Sequence, residues 1–262
     1  MIGEFALEFD THESKQTTRI EVNPAVLRWA LQRSGRDDIE DKFPHLPDWM
    51  EGTVQPTLRQ LEAFSKATSV PFGYLLLPEP PQELLPIPHF RTVSDKPVYT
   101  VEPNLFDTIN KMLYRQAWMR EYLIDNGHEP LPFVGSARIN DDPLEVAQNI
   151  RNELGLQNNW AKDKPTWEDA LRTLKNAVED AGILVVVNSL AGNNTHRKLN
   201  VEVFRGFVLV DEYAPLIFIN GSDSKAAQMF TLAHELVHVW FGKSASFDLE
   251  KLRPSGDPVE VQ

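Results

Sequence analysis

The sequence predicts an α+β protein: a small helical amino-terminal domain, then a larger domain of helices with a small mixed sheet. Three observations predict it. Helical spacing dominates residues 23–77, six prolines punctuate the chain from Pro78 to Pro97, and β-branched runs after Gly182 lead into a long apolar helix.

Residues 1–17 hold no sustained period and read as a mobile leader or a remnant of expression. Asn23-Pro24 then offers an N-cap followed by proline at the first helical position. Val26, Leu27, Ala30 and Leu31 form one apolar face, and Gly35 is a stop. The stretch from Ile39 to Met50 is expected to be short and broken by Pro44 and Pro47. A second clear helix is expected from about Pro56, with Leu58, Leu61, Phe64 and Ala67 on one face. This first domain spans 18–80. The prolines favour an extended linker over 81–100, and the second domain takes 101–262. It is expected to open with helices at 103–125, 142–154 and 166–181. Ile183–Val187 reads as a buried strand, with further strands at Phe204–Val210 and Leu216–Ile219 joined by the turn Asp211–Pro215.

Composition narrows the classes of function. The chain has 262 residues, no cysteine, 24% charged residues and a net charge of −12. Without cysteine there is no disulfide framework, thiolate metal site or cysteine nucleophile. The longest apolar run, Ile183–Val187, is too short to span a bilayer, and no signal segment opens the sequence. A cytoplasmic protein without a membrane partner is expected. A pI near 5.1 argues against non-specific binding to nucleic acid, which needs a basic surface.

Residues Met229–Phe241 carry the chemistry. Wound on a helix at about 100° per residue, Thr231, His234, Glu235 and His238 share one arc of about 100°. The rest of the helix is apolar and is expected to be buried nearly all round. A merely solvated stripe would include lysine, arginine or aspartate, and this one has none. Two histidines one turn apart can direct both imidazoles at one ion, while the adjacent glutamate reaches a water there. This His-Glu-x-x-His pattern makes His234 and His238 metal ligands and Glu235 the general base. A catalytic zinc needs a third protein ligand. No histidine follows His238, so Asp248, Glu250, Asp257 and Glu260 are the downstream candidates, and spacing does not choose among them. Zn2+ is the expected ion, although imidazole and carboxylate also accept other divalent metals. The strand Phe204–Val210 is expected to offer an edge for an extended substrate. Tyr213 and His196 are candidate transition-state donors.

Phe230-Thr231-Leu232-Ala233-His234-Glu235-Leu236-Val237-His238, following a hairpin that ends Ile217-Phe218-Ile219-Asn220, resembles the ImmA/IrrE family of metallo-endopeptidases. Upstream, Trp49-Met50-Glu51-Gly52 and Gln55-Pro56-Thr57-Leu58-Arg59-Gln60-Leu61 resemble the latter half of a Cro/repressor-type (XRE) helix-turn-helix. Pro71–Pro78 and His89-Phe90-Arg91 are similar to the subgroup in which that module precedes the peptidase. The resemblance covers about residues 19–262. It implies a zincin-like second domain of gluzincin type and cleavage of a specific regulatory protein, such as a repressor or an antitoxin-like partner. It also implies a third ligand in a Glu-x-x-Ala/Cys-Asn pattern, which Glu260-Val261-Gln262 begins. On that basis Glu260 is expected to complete the site, in a chain expected to be a fragment truncated at its carboxy terminus.

The first module is a poor DNA reader by composition. Its recognition segment, Lys42–Asp48, holds two prolines, and residues 18–80 carry seven Arg/Lys against nine Asp/Glu. Packing, homodimerisation or recognition of a protein partner is the favoured role, and DNA binding is disfavoured. The alternative to an enzyme is a non-catalytic transcriptional regulator or antitoxin that uses both modules for binding. The intact pair of histidines and the base favour the enzyme.

Overall fold

A computed structural model describes residues 18–36, 38–83, 102–162 and 164–242, with the backbone of 245–247. The leader 1–17, most of the expected linker, His89-Phe90-Arg91, and Asp248, Glu250, Asp257 and Glu260 lie outside the described residues. The chain divides into two compact units, Met1–Gln82 and Glu83–Gln262.

In the first unit, local capping sets the helix ends. The Asn23 side chain accepts from the Ala25 amide at 2.8 Å and opens α1 (Pro24–Ser34), which Gly35 closes at φ 58°. The expected break between Ile39 and Met50 is confined to Phe43–His45. Short helices α2 (Ile39–Lys42) and α3 (Leu46–Glu51) flank it. Pro47 does not break the chain as expected: it lies in the first turn of α3, where a missing N–H leaves no intrahelical bond unmade. Thr57 and Gln60 form a reciprocal capping box at the start of α4 (Leu58–Thr68). Leu27, Ile39, Leu46, Trp49, Leu61 and Phe64 form the buried core, with Phe64 edge-on to both Phe43 and Trp49.

The second unit is built on a sheet with helices on both faces. α5 (Pro103–Asp125), α6 (Pro143–Glu153) and α7 (Trp167–Asp180) precede β1 (Leu184–Asn188). β2 (Gly206–Leu209), β3 (Leu216–Asn220), α8 (Lys225–Phe241) and β4 (Ala245–Phe247) follow. Among the described residues the strand order is β1-β3-β2-β4. β1 runs parallel to β3, whereas β2 is antiparallel to both β3 and β4. Side chains alternate between two cores. Phe207, Leu209, Leu216 and Phe218 meet Leu105, Ile109 and Met112 of α5, while Val208, Ile217 and Ile219 meet α7 and α8. Both faces are covered, so β2 and β3 are buried throughout and read as continuous apolar runs.

One expectation is overturned here. Phe204–Val210 does not supply a free edge: β2 pairs with β3 on one side and β4 on the other, with Gly206 opposite Phe247. No helix among the described residues is long and apolar enough to cross a membrane.

Candidate metal centre

The rotation of α8 is fixed at both ends. At its start, the Ser224 side chain accepts from the Ala227 amide. Buried Gln228 donates from Nε2 to the carbonyls of Gly221 and Asp223, at 3.2 and 2.7 Å. Asn220 donates to the Phe204 carbonyl and accepts from the Ser222 amide, and Arg205 pairs with Asp223 at 2.5 Å. The turn from β3 into α8 is thereby tied to the segment entering β2. At the other end, the amides of Gly135 and Ala137 donate to the Val239 and Trp240 carbonyls at 3.0 and 2.9 Å. Phe133 stacks on Trp240 with ring centroids 4.5 Å apart. Carbonyls that a helix end leaves orphaned are satisfied by a separate loop.

Between these anchors the polar arc turns inward. Thr231 and Glu235 are fully buried, His238 nearly so, and His234 is half-buried. The two imidazoles converge: their Nε2 atoms lie 3.2 Å apart, with ring planes at 69°. Two nitrogens each about 2 Å from a tetrahedral ion stand roughly 3.3 Å from each other, so the pair already has the separation that a shared divalent metal requires. A direct N–H···N hydrogen bond fits the same distance, and metal analysis distinguishes the two. Among the described residues no cluster of three His, Cys, Asp or Glu side chains is assembled, and Glu260 lies outside them.

The helix is not buried all round as expected. Phe230 is 54% exposed and Ala233 is also exposed, which leaves an open strip beside His234. Tyr213 and His196 are not drawn to the histidines. Tyr213 receives the Arg120 guanidinium over its ring at 5.3 Å, and the amide of His196 donates to Asn194 in an exposed loop.

Sequence reading missed one element of the support. A Cβ on Gly206 would stand 2.6 Å from Thr231 Cγ2 and 2.8 Å from the Phe218 carbonyl oxygen. Only glycine lets α8 approach β2 this closely. The available signal was a lone glycine inside a strand pattern, which marks a close approach of backbone.

No curated protein and no solved structure gives a match to this chain. Residues 178–256, which contain β1, β2, β3, α8 and β4, match the IrrE N-terminal-like domain of the M78 peptidases, a match that supports the ImmA/IrrE family and a metallopeptidase-like function.

Proposed function

We propose that this protein is a zinc-dependent endopeptidase that cleaves a specific regulatory protein, repressor or antitoxin-like. The observation that carries the reading is the 3.2 Å convergence of His234 and His238 on a helix whose next polar group, Glu235, is buried. His234 and His238 hold the ion, with Glu260 as the third ligand. A zinc bound there supplies Lewis acidity, which lowers the pKa of water toward neutrality and polarises a carbonyl. Glu235 takes the proton of the attacking water and later delivers it to the leaving amine. Burial of Glu235 keeps its carboxylate oriented and limits competition from bulk water. With β2 internal, an extended substrate pairs along the outer edge of β4.

The helical first unit selects the partner rather than reading DNA. Its basic side chains do not gather on one exposed helix: Arg36 and Lys42 are both engaged with Asp38, and Arg28 donates to the Met50 carbonyl.

Glu235→Gln should keep metal, measured by elemental analysis, while cleavage of the partner protein falls about a thousandfold. His234→Ala should lose the metal. Unchanged cleavage in the first variant removes the base, and equal metal content in the second removes the ligand assignment.

A further inference from the structure

The inner face of α5, including Leu105, Ile109, Met112 and Gln116, is buried. Its outer face carries Tyr114, Trp118 and Tyr122 at one-turn spacing, 79%, 63% and 51% exposed, and Trp118 stacks on Tyr122 at 5.8 Å. Beside Trp118 an apolar groove of about 670 Å³ runs between α5 and β1, walled by Met119, Leu123 and Val185 among others. Contiguous exposed aromatic surface of this kind marks an interaction site.

Charge on the same face identifies the partner. Basic Lys111 and Arg115 occupy its amino-terminal half, and acidic Glu121 and Asp125 its carboxy-terminal half. Within a single helix this is unfavourable. Lys111 and Arg115 are i,i+4 neighbours of like charge, as are Glu121 and Asp125. Asp125 also sits in a last turn without a basic residue, at the negative end of the helix dipole. Among the described residues, the ion pairs α5 makes with the rest of its unit use Asp107 with Arg197 and Arg120 with Asp211.

We propose that this face docks on the same face of a second copy, the two α5 helices running antiparallel about a two-fold axis at Trp118. Residues equally far before and after Trp118 then meet across the axis. Trp118 packs on its symmetry mate, and Lys111 faces the partner's Asp125 along the seam, twice by symmetry. Arg115 likewise faces the partner's Glu121, and Tyr114 packs against the ring of the partner's Tyr122. A parallel arrangement would set like charge on like. The self-complementarity about one residue is what points to a copy of this chain. One helix face is a small interface, so the dimer is reversible and concentration-dependent. The proposal does not depend on the metal centre.

Sedimentation of the full chain over a range of protein concentrations tests this. A dimer is expected that weakens as salt rises. Trp118→Ala should abolish it, and Lys111→Glu or Asp125→Lys should each weaken it about tenfold or more. The double swap K111E/D125K should recover the parent affinity, and a mixture of the two single variants should form the heterodimer. Circular dichroism on each variant separates lost association from lost folding, and the mixture needs only variants that fold. A chain that stays monomeric at every concentration overturns the proposal. So does a dimer indifferent to the single swaps, which would place its interface elsewhere, or single swaps with no recovery on reversal.

Discussion

α8 and α5 pack on opposite faces of the same sheet, and each has an inner face dictated by helical spacing. On α8 that face includes Thr231, Glu235 and His238, polar groups buried at 0–2% exposure. On α5 the inner face is mostly apolar, and the departure lies outside, where Trp118 and its neighbours stand in solvent. One helix hides what water would solvate; the other exposes what water would expel. Neither arrangement is the most favourable for the isolated unit, since a buried hydrogen-bonded polar group gains little over its hydrated state and exposed aromatics forgo burial. Such departures concentrate where a surface or cleft has work beyond folding. The difference teaches that an inward departure points to a buried centre and an outward one to a partner.

Three substitutions break or sharpen this contrast, taken from the largest effect to the smallest. Gly206→Val should destabilise the second unit by about 3 kcal/mol in urea unfolding, because the branched side chain must displace Thr231 and the Phe218 carbonyl together. A loss below about 1 kcal/mol would mean that α8 can lift from β2 without penalty, and its inward polar face would not need this tight seat. Thr231→Val tests the polar arc itself. Thr231 Oγ1 is buried without a hydrogen-bond partner among the described residues. The isosteric change should therefore stabilise by about 1 kcal/mol. If cleavage activity falls as stability rises, the hydroxyl belongs to the working site; if stability falls, it has a partner and the arc is satisfied.

The smallest effect concerns pH at the start of α5. Burial raises the Glu102 carboxyl above its ordinary value, against the amides of Leu105 and Asn104 and the charge of Arg197, which lower it. A carboxyl raised in the folded state binds its proton more tightly there than in the unfolded chain. The contribution is thus most favourable at low pH and declines as pH rises from the ordinary glutamate value through the folded one. Glu102→Gln keeps an acceptor for the Leu105 amide and should flatten that decline in stability curves measured between pH 4 and 7. A steeper decline in the variant would reverse the assigned sign.

The first unit shows how far local patterns reach. The prolines at 44 and 47 look equivalent in sequence, yet Pro44 lies in the break between α2 and α3 while Pro47 sits in the first turn of α3. The distinction depends on whether the chain resumes a helix at Leu46, a buried core position under Trp49 and Phe64. Proline is tolerated in a first turn and not in a helix interior, so its effect follows from where packing places the helix start.

The Asn23 helix start, the span of α5 and the helical arc of His234, Glu235 and His238 were legible in the sequence, because each is set by contacts within a few residues of chain. Asn23 caps its helix through its own side chain, and α5 occupies the span its spacing predicts. Tertiary structure alone decided that β4 closes the outer side of β2, that Gly206 seats α8, and that the loop at Gly135 and Ala137 completes its far end. The reason is physical: an apolar run reads the same whether a strand is central or marginal, and only pairing between distant segments determines which backbone groups stay open.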